Sequence, residues 1–498
     1  MHLGYADEGL LWYGVIHTRM GQMPIRDFNS YDPLRYLWCA GWSFIFGDGI
    51  IGLRRSEWLF QAICFIFGLL ALQRVLRTTR QLVFFSVLLL FWQVWGLRYF
   101  DSCYPMLAVF FAVRLSEKQS FQRCFQAGVF AGFSVLMGLN HALYALTAFF
   151  FLMVYCFSRG VLEKPFNKFL IFFAGIFVGC LPTFGMMLFI PNYWESYVGR
   201  FFQGVHQVGT LSMDNRNLIP WPWLLRSEKI LKQGLTPCIG ALRDWNLAAQ
   251  GFSFVTVLVF YGFAFIGILR AKKDILYKNP LLVGSVFVGL PYLNHIFCRS
   301  DILHLGETAF PLISGLLAFS WSIYWIQKIM VGWILFLTLF GALPLGNLFF
   351  KITCPVGATA PYLIGKDKIW LICGQGRVLD QFKALVKENV PENETIFFAP
   401  AMPMLYCLTN KTSPTYQIYF WGLDTPQMQQ RTVRELRDNK VNWAVVADVD
   451  FDNREDLRFS NRYAVVCNYL KENFDVLPAN LPAGYVFLRR KNMVESSQ

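Results

Sequence analysis

Carboxylates stand in short polar segments of an otherwise apolar chain. Asp7 and Glu8 are adjacent near the start, and Asp101 follows Arg98 closely. A carboxylate beside a membrane can act as a general base if it lies within hydrogen-bonding reach of the proton it removes, and burial raises its pKa toward a useful range. The sequence also allows plainer roles: a solvated acid pair for Asp7 and Glu8, and an ion pair with Arg98 for Asp101.

Basic side chains in other polar segments could hold a phosphate, because a guanidinium offers paired donors to phosphate oxygens. The candidates are Arg26, Arg35 and a turn that contains Arg299, Asp301 and His304. Snorkelling at the membrane interface is the alternative for the first two arginines. An internal ion pair between arginine and aspartate is the alternative for the turn.

Three further residues could support such a site. Tyr31 and Asp32 precede Pro33, an order typical of a helix start with proline in the first helical position. Residues 33–46 are predicted to form a helix that lies in the membrane interface. His141, in a predicted turn, is more typical of a hydrogen-bonded helix end than of a catalyst.

Composition places the chain in a membrane. Of its 498 residues, 55% are hydrophobic and 15% charged, and the mean hydropathy is +0.39. Several apolar runs approach or exceed the length that crosses roughly 30 Å of hydrocarbon. The net charge of +13 comes from basic residues in short loops between these runs, a pattern that orients a membrane protein rather than binding nucleic acid. The twelve cysteines lack the spacing of zinc or disulfide frameworks.

The apolar runs predict ten membrane spans. They are 51–73, 82–97, 103–115, 124–139, 142–158, 169–190, 252–270, 281–298, 305–326 and 330–350. Alternate loops carry a set of basic residues, which the positive-inside rule assigns to the cytoplasm. These are Arg74, Arg77, Arg80, Arg114, Lys118, Arg123, Arg159, Lys164, Lys168, Arg270, Lys272, Lys273, Lys278 and Lys328. Short loops on the other side hold only Arg98 and Arg299, so they are predicted to be extracytoplasmic.

This alternation puts every unusual polar segment outside the cytoplasm. The segment 1–50, the long loop 191–251 and everything after about residue 351 are expected on that face. Because the chain would then begin outside, we expect a further membrane helix upstream of Met1. A short N-terminus that crosses unaided is the alternative.

Residues 351–498 change character, with apolar strands alternating with amphipathic helices. The predicted helices are 377–389, 427–439 and 461–473, and the predicted strands are 395–399, 443–447 and 485–488. The predicted fold class is therefore mainly α. A polytopic transmembrane helical bundle, residues 1–350, is followed by a small extracytoplasmic α/β domain, residues 351–498.

Taken together, the polar segments resemble GT-C glycosyltransferases, particularly the protein O-mannosyltransferase-like and lipid A aminoarabinose transferase-like branch and its uncharacterised bacterial members. The N-terminal order carries most of the resemblance: Asp7-Glu8-Gly9, Gly21-Gln22-Met23-Pro24, Tyr31-Asp32-Pro33, Phe46-Gly47, then Arg54 or Arg55. Looser similarity covers essentially the whole chain, through the turn at Arg299, segments 406–410 and 413–416, and Arg489-Arg490. The oligosaccharyltransferase branch fits poorly, because the sequence has no WWD-type signature.

The resemblance implies a GT-C helical fold and a reaction centre outside the cytoplasm. Its donor would be a polyprenyl-phosphate sugar, and transfer would invert the anomeric carbon. Asp7 would be the general base or an essential electrostatic partner, with Glu8 beside it, and Asp101 would complete the site.

The resemblance also implies a basic residue against the donor phosphate. Arg35 lies near that position, but Asp32 stands where some relatives carry lysine. This departure makes Arg299 a rival, with His304 and Arg26 as further candidates.

The sequence thus predicts a multi-pass protein of the bacterial inner membrane that transfers a sugar from a polyprenyl-phosphate donor to a hydroxyl of a lipid, glycan or protein. No residue demands a cofactor, although a divalent cation at Asp7 and Glu8 is an option. A transporter or flippase of a lipid-linked substrate is an alternative, disfavoured because the spans are nearly free of acids and no repeat is seen. A non-catalytic assembly subunit of the same fold is another.

Overall fold

A computed structural model describes residues 3–93, 99–202, 245–298, 302–320, 324–342, 359–420, 424–449, 455 and 458–491. The chain divides into two compact units. The mixed unit, built of helices and strands, comprises Met1–Ser56, Asn192–Leu211 and Cys354–Gln498. The helical unit comprises Glu57–Pro191 and Ser212–Thr353.

Helices account for the described residues before residue 343 almost entirely. In chain order they are α1 (Asp7–Arg19), α2 (Pro33–Phe46), α3 (Ile50–Leu72), α4 (Thr79–Gln93), α5 (Tyr99–Glu117), α6 (Phe121–Met137), α7 (Leu139–Ser158), α8 (Pro165–Phe189), α9 (193–202), α10 (Trp245–Arg270), α11 (Ile275–Lys278), α12 (Pro280–Cys298), α13 (Ile302–Glu307), α14 (Ala309–Ser320) and α15 (Tyr324–Phe336). The last of these continues as a π-helical segment, Leu337–Ala342.

Four described helices are long and apolar enough to cross a membrane, so the chain is a membrane protein. They are Ile50–Leu72, Leu139–Ser158, Pro165–Phe189 and Gly251–Arg270. Shorter apolar helices accompany them, and they are Thr79–Trp92, Pro280–Ile296, Ala309–Phe319 and Trp325–Phe340. The apolar side chains of α8 illustrate the pattern, since only 22% of its most apolar window is buried inside the protein.

The first eight predicted spans each fall on one helix, namely α3 to α8, α10 and α12. The ninth prediction, a continuous span 305–326, is wrong in its bounds, because the chain forms α13, a turn at Thr308, and then α14. Pro311 explains the interruption, since proline has no N–H to donate to the carbonyl four residues earlier.

Glycines bring α6 and α8 into backbone contact. A Cβ atom at Gly128 would lie 2.1 Å from the Phe172 carbonyl oxygen, and one at Gly179 would lie 2.2 Å from the Val129 carbonyl oxygen. Side chains this small let two membrane helices approach closely enough for extended van der Waals contact. Each helix has a second glycine four residues away, Gly132 on α6 and Gly175 on α8, and these also contact the partner helix. The facing surfaces of the two helices therefore lack side chains at these positions.

The mixed unit contains the strands. After residue 358 the elements are β1 (Thr359–Ile364), β2 (Asp367–Ile372), α16 (Cys373–Asn389), β3 (Ile396–Ala399), α17 (Pro403–Thr409), α18 (Pro426–Asp438), β4 (Trp443–Ala447), α19 (Phe459–Arg462), α20 (Ala464–Asn473), β5 (Phe474–Leu477) and β6 (Tyr485–Arg490). A four-stranded sheet has the order β3-β4-β6-β5, with β3 and β4 parallel and the other pairs antiparallel. Strands β1 and β2 form a separate hairpin. The predicted fold class, mainly helical with a small C-terminal α/β region, is confirmed.

The N-terminal segment and the C-terminal region fold together within the mixed unit. The Met404 N–H donates to the Tyr5 carbonyl at 3.3 Å, and the Tyr416 hydroxyl donates to the Ile25 carbonyl at 2.6 Å. A Cβ at Gly9 would lie 2.5 Å from the Met404 nitrogen, so this close approach requires glycine. The glycine that follows the Asp7-Glu8 pair therefore serves packing against α17.

We predict that Gly179→Ala lowers the melting temperature of the purified protein, because neither backbone at this contact can yield to the added methyl group. Overpacking of this kind costs about 1–3 kcal/mol. The matched control is Gly185→Ala in the same helix, where a Cβ would meet nothing within 4 Å. Equal melting temperatures for the two variants in the same detergent would contradict the prediction.

Candidate functional site

Asp7 and Glu8 open α1 and are not loop residues. Two carboxylates in a first helical turn are favoured there by the positive end of the helix dipole. The Glu8 carboxylate accepts from the Gly4 N–H at 3.0 Å, which satisfies a donor just before the helix. The Asp7 carboxylate is half-buried and accepts from the Tyr31 hydroxyl at 3.1 Å. Adjacent acids therefore meet different surroundings.

A buried ion pair fixes this end of α1. The Arg54 guanidinium donates to both oxygens of Glu8, at 2.6 and 3.1 Å, and the glutamate side chain is 1% exposed. Two buried charges persist only when they are paired with good geometry. The alternative of a solvated acid pair is therefore wrong for Glu8, and of the two arginines in the family-like pattern Arg54 is the partner.

Tyr31 connects Asp7 to the start of α2. Its ring lies under the Arg35 guanidinium, 5.4 Å from its central carbon, and its N–H donates to the Tyr36 hydroxyl at 3.0 Å. Asp32 and Pro33 begin α2 as predicted, with Asp32 extended at the N-cap. The Arg35 side chain is buried, so it does not snorkel outward from the protein.

Arg26, a candidate for phosphate binding, is held by its neighbour. Its guanidinium donates to both oxygens of Asp27, at 2.8 and 2.7 Å. Partial burial alone would raise the pKa of the Asp27 carboxyl, but the hydrogen bonds from Arg26 and from the Met23 N–H outweigh it and lower that pKa. This arginine is already largely neutralised, which makes it a poor phosphate ligand.

The helical unit holds a second polar cluster around His141. The His141 Nε2 lies 2.8 Å from the Asp101 Oδ1, and the Nδ1 lies 2.9 Å from the Tyr292 hydroxyl. With the imidazole proton on Nε2 donated to the carboxylate, Nδ1 is left to accept from the tyrosine. All three side chains are buried. The cluster is a hydrogen-bonded Asp-His-Tyr triad that connects α5, α7 and α12.

A second acid–imidazole pair lies beside this triad. The His295 Nε2 is 2.5 Å from the Glu307 Oε2, and the His295 ring is 6.3 Å from the ring of His141. The ring of His304 lies 5.6 Å from that of His295. Within the described ranges, no group of three His, Cys, Asp or Glu side chains is arranged to hold a metal ion.

The predicted turn at His141 is wrong, because extended Gly138 separates α6 from α7 and His141 lies in the first turn of α7. His141 is hydrogen-bonded at this helix end, as expected. Asp101 lies in the first turn of α5. Asp101 then finds a buried imidazole as its partner, while Arg98 lies outside the described residues.

The positions of other predicted site residues are not tested by the structure. Arg299 and Asp301 lie outside the described residues. Asp7 belongs to the mixed unit and Asp101 to the helical unit. Their convergence in one extracytoplasmic pocket therefore remains a prediction.

Sequence reasoning missed Tyr292, His295 and Glu307. A signal existed, because Tyr292 and His295 are three residues apart on α12, and His304 and Glu307 are three apart on α13. This spacing puts both members of each pair on one helix face. Each of these residues stands in an apolar run of the sequence, so none of them, taken singly, indicates a polar cluster.

No family model matches the sequence, and no curated protein matches it. Among solved structures, the chain is similar to the archaeal oligosaccharyltransferase AglB from Archaeoglobus fulgidus in complex with an inhibitory peptide and a dolichol-phosphate, with 10% identity and a TM-score of 0.45, over 98% of this chain and 71% of that chain. It is also similar to the Archaeoglobus fulgidus oligosaccharyltransferase complex with Zn and sulfate, with 11% identity and a TM-score of 0.36, over 98% and 69% of the two chains.

A further structure of that enzyme, tethered to an acceptor peptide containing the NVT sequon, gives 10% identity and a TM-score of 0.34, over 98% of this chain and 70% of that chain.

We predict that Glu8→Leu destabilises the protein by about 3–5 kcal/mol, because it leaves the Arg54 charge buried and unpaired. The double variant Glu8→Leu/Arg54→Met should unfold at a higher temperature than the single variant, since it removes both charges. Thermal unfolding of purified protein measures both. The control pair is Arg26→Gln/Asp27→Asn, a partly exposed ion pair whose loss should cost about 0–1 kcal/mol. A single variant as stable as the control would refute the account.

Proposed function

We propose that this chain is a GT-C membrane glycosyltransferase that moves a sugar from a polyprenyl-phosphate donor to a hydroxyl acceptor on the extracytoplasmic side. One observation carries the proposal. Asp7 opens a helix whose first turn is fixed by the buried Glu8–Arg54 pair, and its half-buried carboxylate accepts from Tyr31. A half-buried carboxylate that is held in place at the start of a fixed helix and accepts from a tyrosine hydroxyl suits a general base.

In the proposed reaction, the acceptor hydroxyl oxygen attacks the anomeric carbon as Asp7 takes the hydroxyl proton. The bond between that carbon and the donor phosphate oxygen breaks, and its electron pair leaves with the phosphate. Attack from the opposite face inverts the configuration. The leaving group is already an anion, so positive charge beside it suffices and no strong general acid is needed.

The remaining residues take supporting roles in this proposal. Glu8 positions Asp7 rather than reacting, because both its oxygens bind Arg54 and one also accepts from the Gly4 N–H. Arg35 and Arg299 supply positive charge for the phosphate, and His304 is a further candidate to bind it. A divalent cation, if one binds, would use Asp7.

The acceptor and the placement in the cell are also proposed. The compact mixed unit contains the N-terminal segment, the beginning of the long loop and the C-terminal region, which are the parts that charge bias assigns to one face. This grouping supports a reaction centre outside the cytoplasm, with the C-terminal α/β region helping to bind the acceptor. Sugar transfer measured with a lipid, a glycan and a protein acceptor in turn would identify the acceptor class.

We predict that Asp7→Asn reduces sugar transfer by about 10²–10⁴-fold, since it removes the proton acceptor. Purified protein in lipid nanodiscs is assayed with a panel of polyprenyl-phosphate sugars and hydroxyl acceptors. The control is Asp475→Asn, an exposed aspartate on β5, which should leave the rate unchanged. A folded Asp7→Asn variant with normal transfer would make the assignment wrong, and a wild-type protein inactive with every donor would favour an assembly subunit.

A transporter or flippase is the second candidate, and a specific observation favours it. The predicted spans were described as nearly free of acids, but Glu57 and Glu307, which lie within two of them, are buried, and so is Asp101 in the first turn of α5. Ionisable residues inside a helical bundle are typical of transport pathways.

We predict that the protein does not move a fluorescent polyprenyl-phosphate lipid between leaflets of proteoliposomes faster than protein-free vesicles do. The reason is that Asp101, His141 and Tyr292 satisfy one another and need no substrate. The measurement is dithionite quenching of the outer leaflet over time. Fast quenching that His141→Gln abolishes would establish transport instead.

A further inference from the structure

Arg200, on α9 in the mixed unit, differs from Arg26 and Arg54, each of which is paired with a carboxylate. It is half-buried, and its hydrogen bond is a long one, 3.4 Å from Nη1 to the Asn29 Oδ1. No carboxylate lies within salt-bridge distance of it among the residues that the structure describes. A partly desolvated guanidinium without a counter-ion is costly, and an anion would satisfy it.

Two carboxylates that act electrostatically on Tyr416, as Arg200 does, are paired with other arginines. Asp27 holds Arg26, and Glu435 accepts from Arg431 at 2.8 Å. Asp32 acts electrostatically on the same tyrosines as Arg200, although it forms no ion pair with it. None of these three acids forms an ion pair with Arg200.

A buried hydroxyl on the same face of α9 as Arg200 also lacks a partner. Tyr193, seven residues or about two helical turns before Arg200, is 1% exposed, and its hydroxyl has no hydrogen-bond partner in the described part of the chain. Burial raises the pKa of this phenol, so it stays a neutral donor, and Arg200 acts in the opposite direction. An unsatisfied buried donor costs about 1–3 kcal/mol, which a bound acceptor would recover.

Asn29 orients the guanidinium. The Asn29 Nδ2 donates to the Gln417 Oε1 at 2.6 Å, which leaves its Oδ1 for Arg200. The Asn29 N–H donates to the Tyr416 carbonyl at 2.8 Å. The arginine is thus anchored by one amide, with donors of its guanidinium still unused.

We infer that Arg200 and the Tyr193 hydroxyl bind a phosphate anion, and, resting on the proposed function, that this anion is the phosphate of the lipid-linked donor. A phosphate offers acceptor oxygens to the guanidinium and to the hydroxyl together. The assignment adds a residue of α9 to the donor site. It gives the phosphate a cation that is not held by a carboxylate, unlike Arg26 and Arg54.

The test measures binding of polyprenyl monophosphate to the purified full chain by native mass spectrometry, without any sugar transfer. Arg200→Gln should raise the dissociation constant about 10- to 100-fold, the worth of charged hydrogen bonds. Arg200→Lys should fall between, because it keeps the charge and loses the paired donors. Asp32→Asn should tighten binding by removing a nearby negative charge.

The matched control is Arg431→Gln, another arginine beside Tyr416, 4.2 Å from its ring centroid. It should bind the lipid as wild type does. Inorganic phosphate should compete in the wild type, and polyprenyl alcohol should bind without sensitivity to residue 200. Equal binding by wild type and Arg200→Gln, or an equal loss in Arg431→Gln, would overturn the inference.

This experiment separates the two proposals. Asp7→Asn should bind the lipid phosphate normally while losing transfer. If the wild type binds polyprenyl phosphate through Arg200 but transfers no sugar, the anion site stands and the enzyme assignment falls. If transfer depends on Asp7 while Arg200→Gln keeps its dissociation constant and KM, the anion site falls alone. If Arg200→Gln melts early, the Arg200→Lys and Asp32→Asn variants decide.

Discussion

The Glu8–Arg54 ion pair is the interaction on which the mixed unit's candidate site depends. Removing two charges from water costs several kcal/mol each, and only close pairing with further hydrogen bonds recovers that cost. Here the two oxygens of the glutamate accept from two nitrogens of the guanidinium, and one of them also accepts from the Gly4 N–H. The first turn of α1 is thereby tied to the beginning of α3, 46 residues away. The pair determines where Asp7 lies.

Helical geometry then gives neighbouring acids separate roles. Successive residues of an α-helix point about 100° apart, so Glu8 can face the interior while Asp7 faces Tyr31. Gly9 completes the arrangement, because Met404 occupies the space that a side chain would need. The three-residue pattern Asp-Glu-Gly therefore combines an acid that accepts from Tyr31, an acid paired with Arg54 and a close contact with α17. Each residue type follows from what surrounds it.

Local pattern predicted elements well and partners poorly. Apolar run length located helices, and Pro33 marked the start of α2. The hairpin β1–β2 was not predicted. Its first strand contains Pro361, and a proline within a strand-like run usually argues against a strand. The partners of Asp101 could not be inferred, since His141 and Tyr292 are far away in sequence and each lies in an apolar run. Only packing of three helices brings them together.

The described arginines of the mixed unit differ chiefly in what already neutralises them. Arg54 is buried against Glu8, and Arg26 is held by Asp27, so neither charge is available to a ligand at little cost. Arg200 has an amide oxygen instead of a carboxylate. Sequence alone cannot rank such residues, because the guanidinium is the same in each and the counter-ion is set by the fold. The charge that a fold leaves uncompensated is the one that can respond to an anionic substrate.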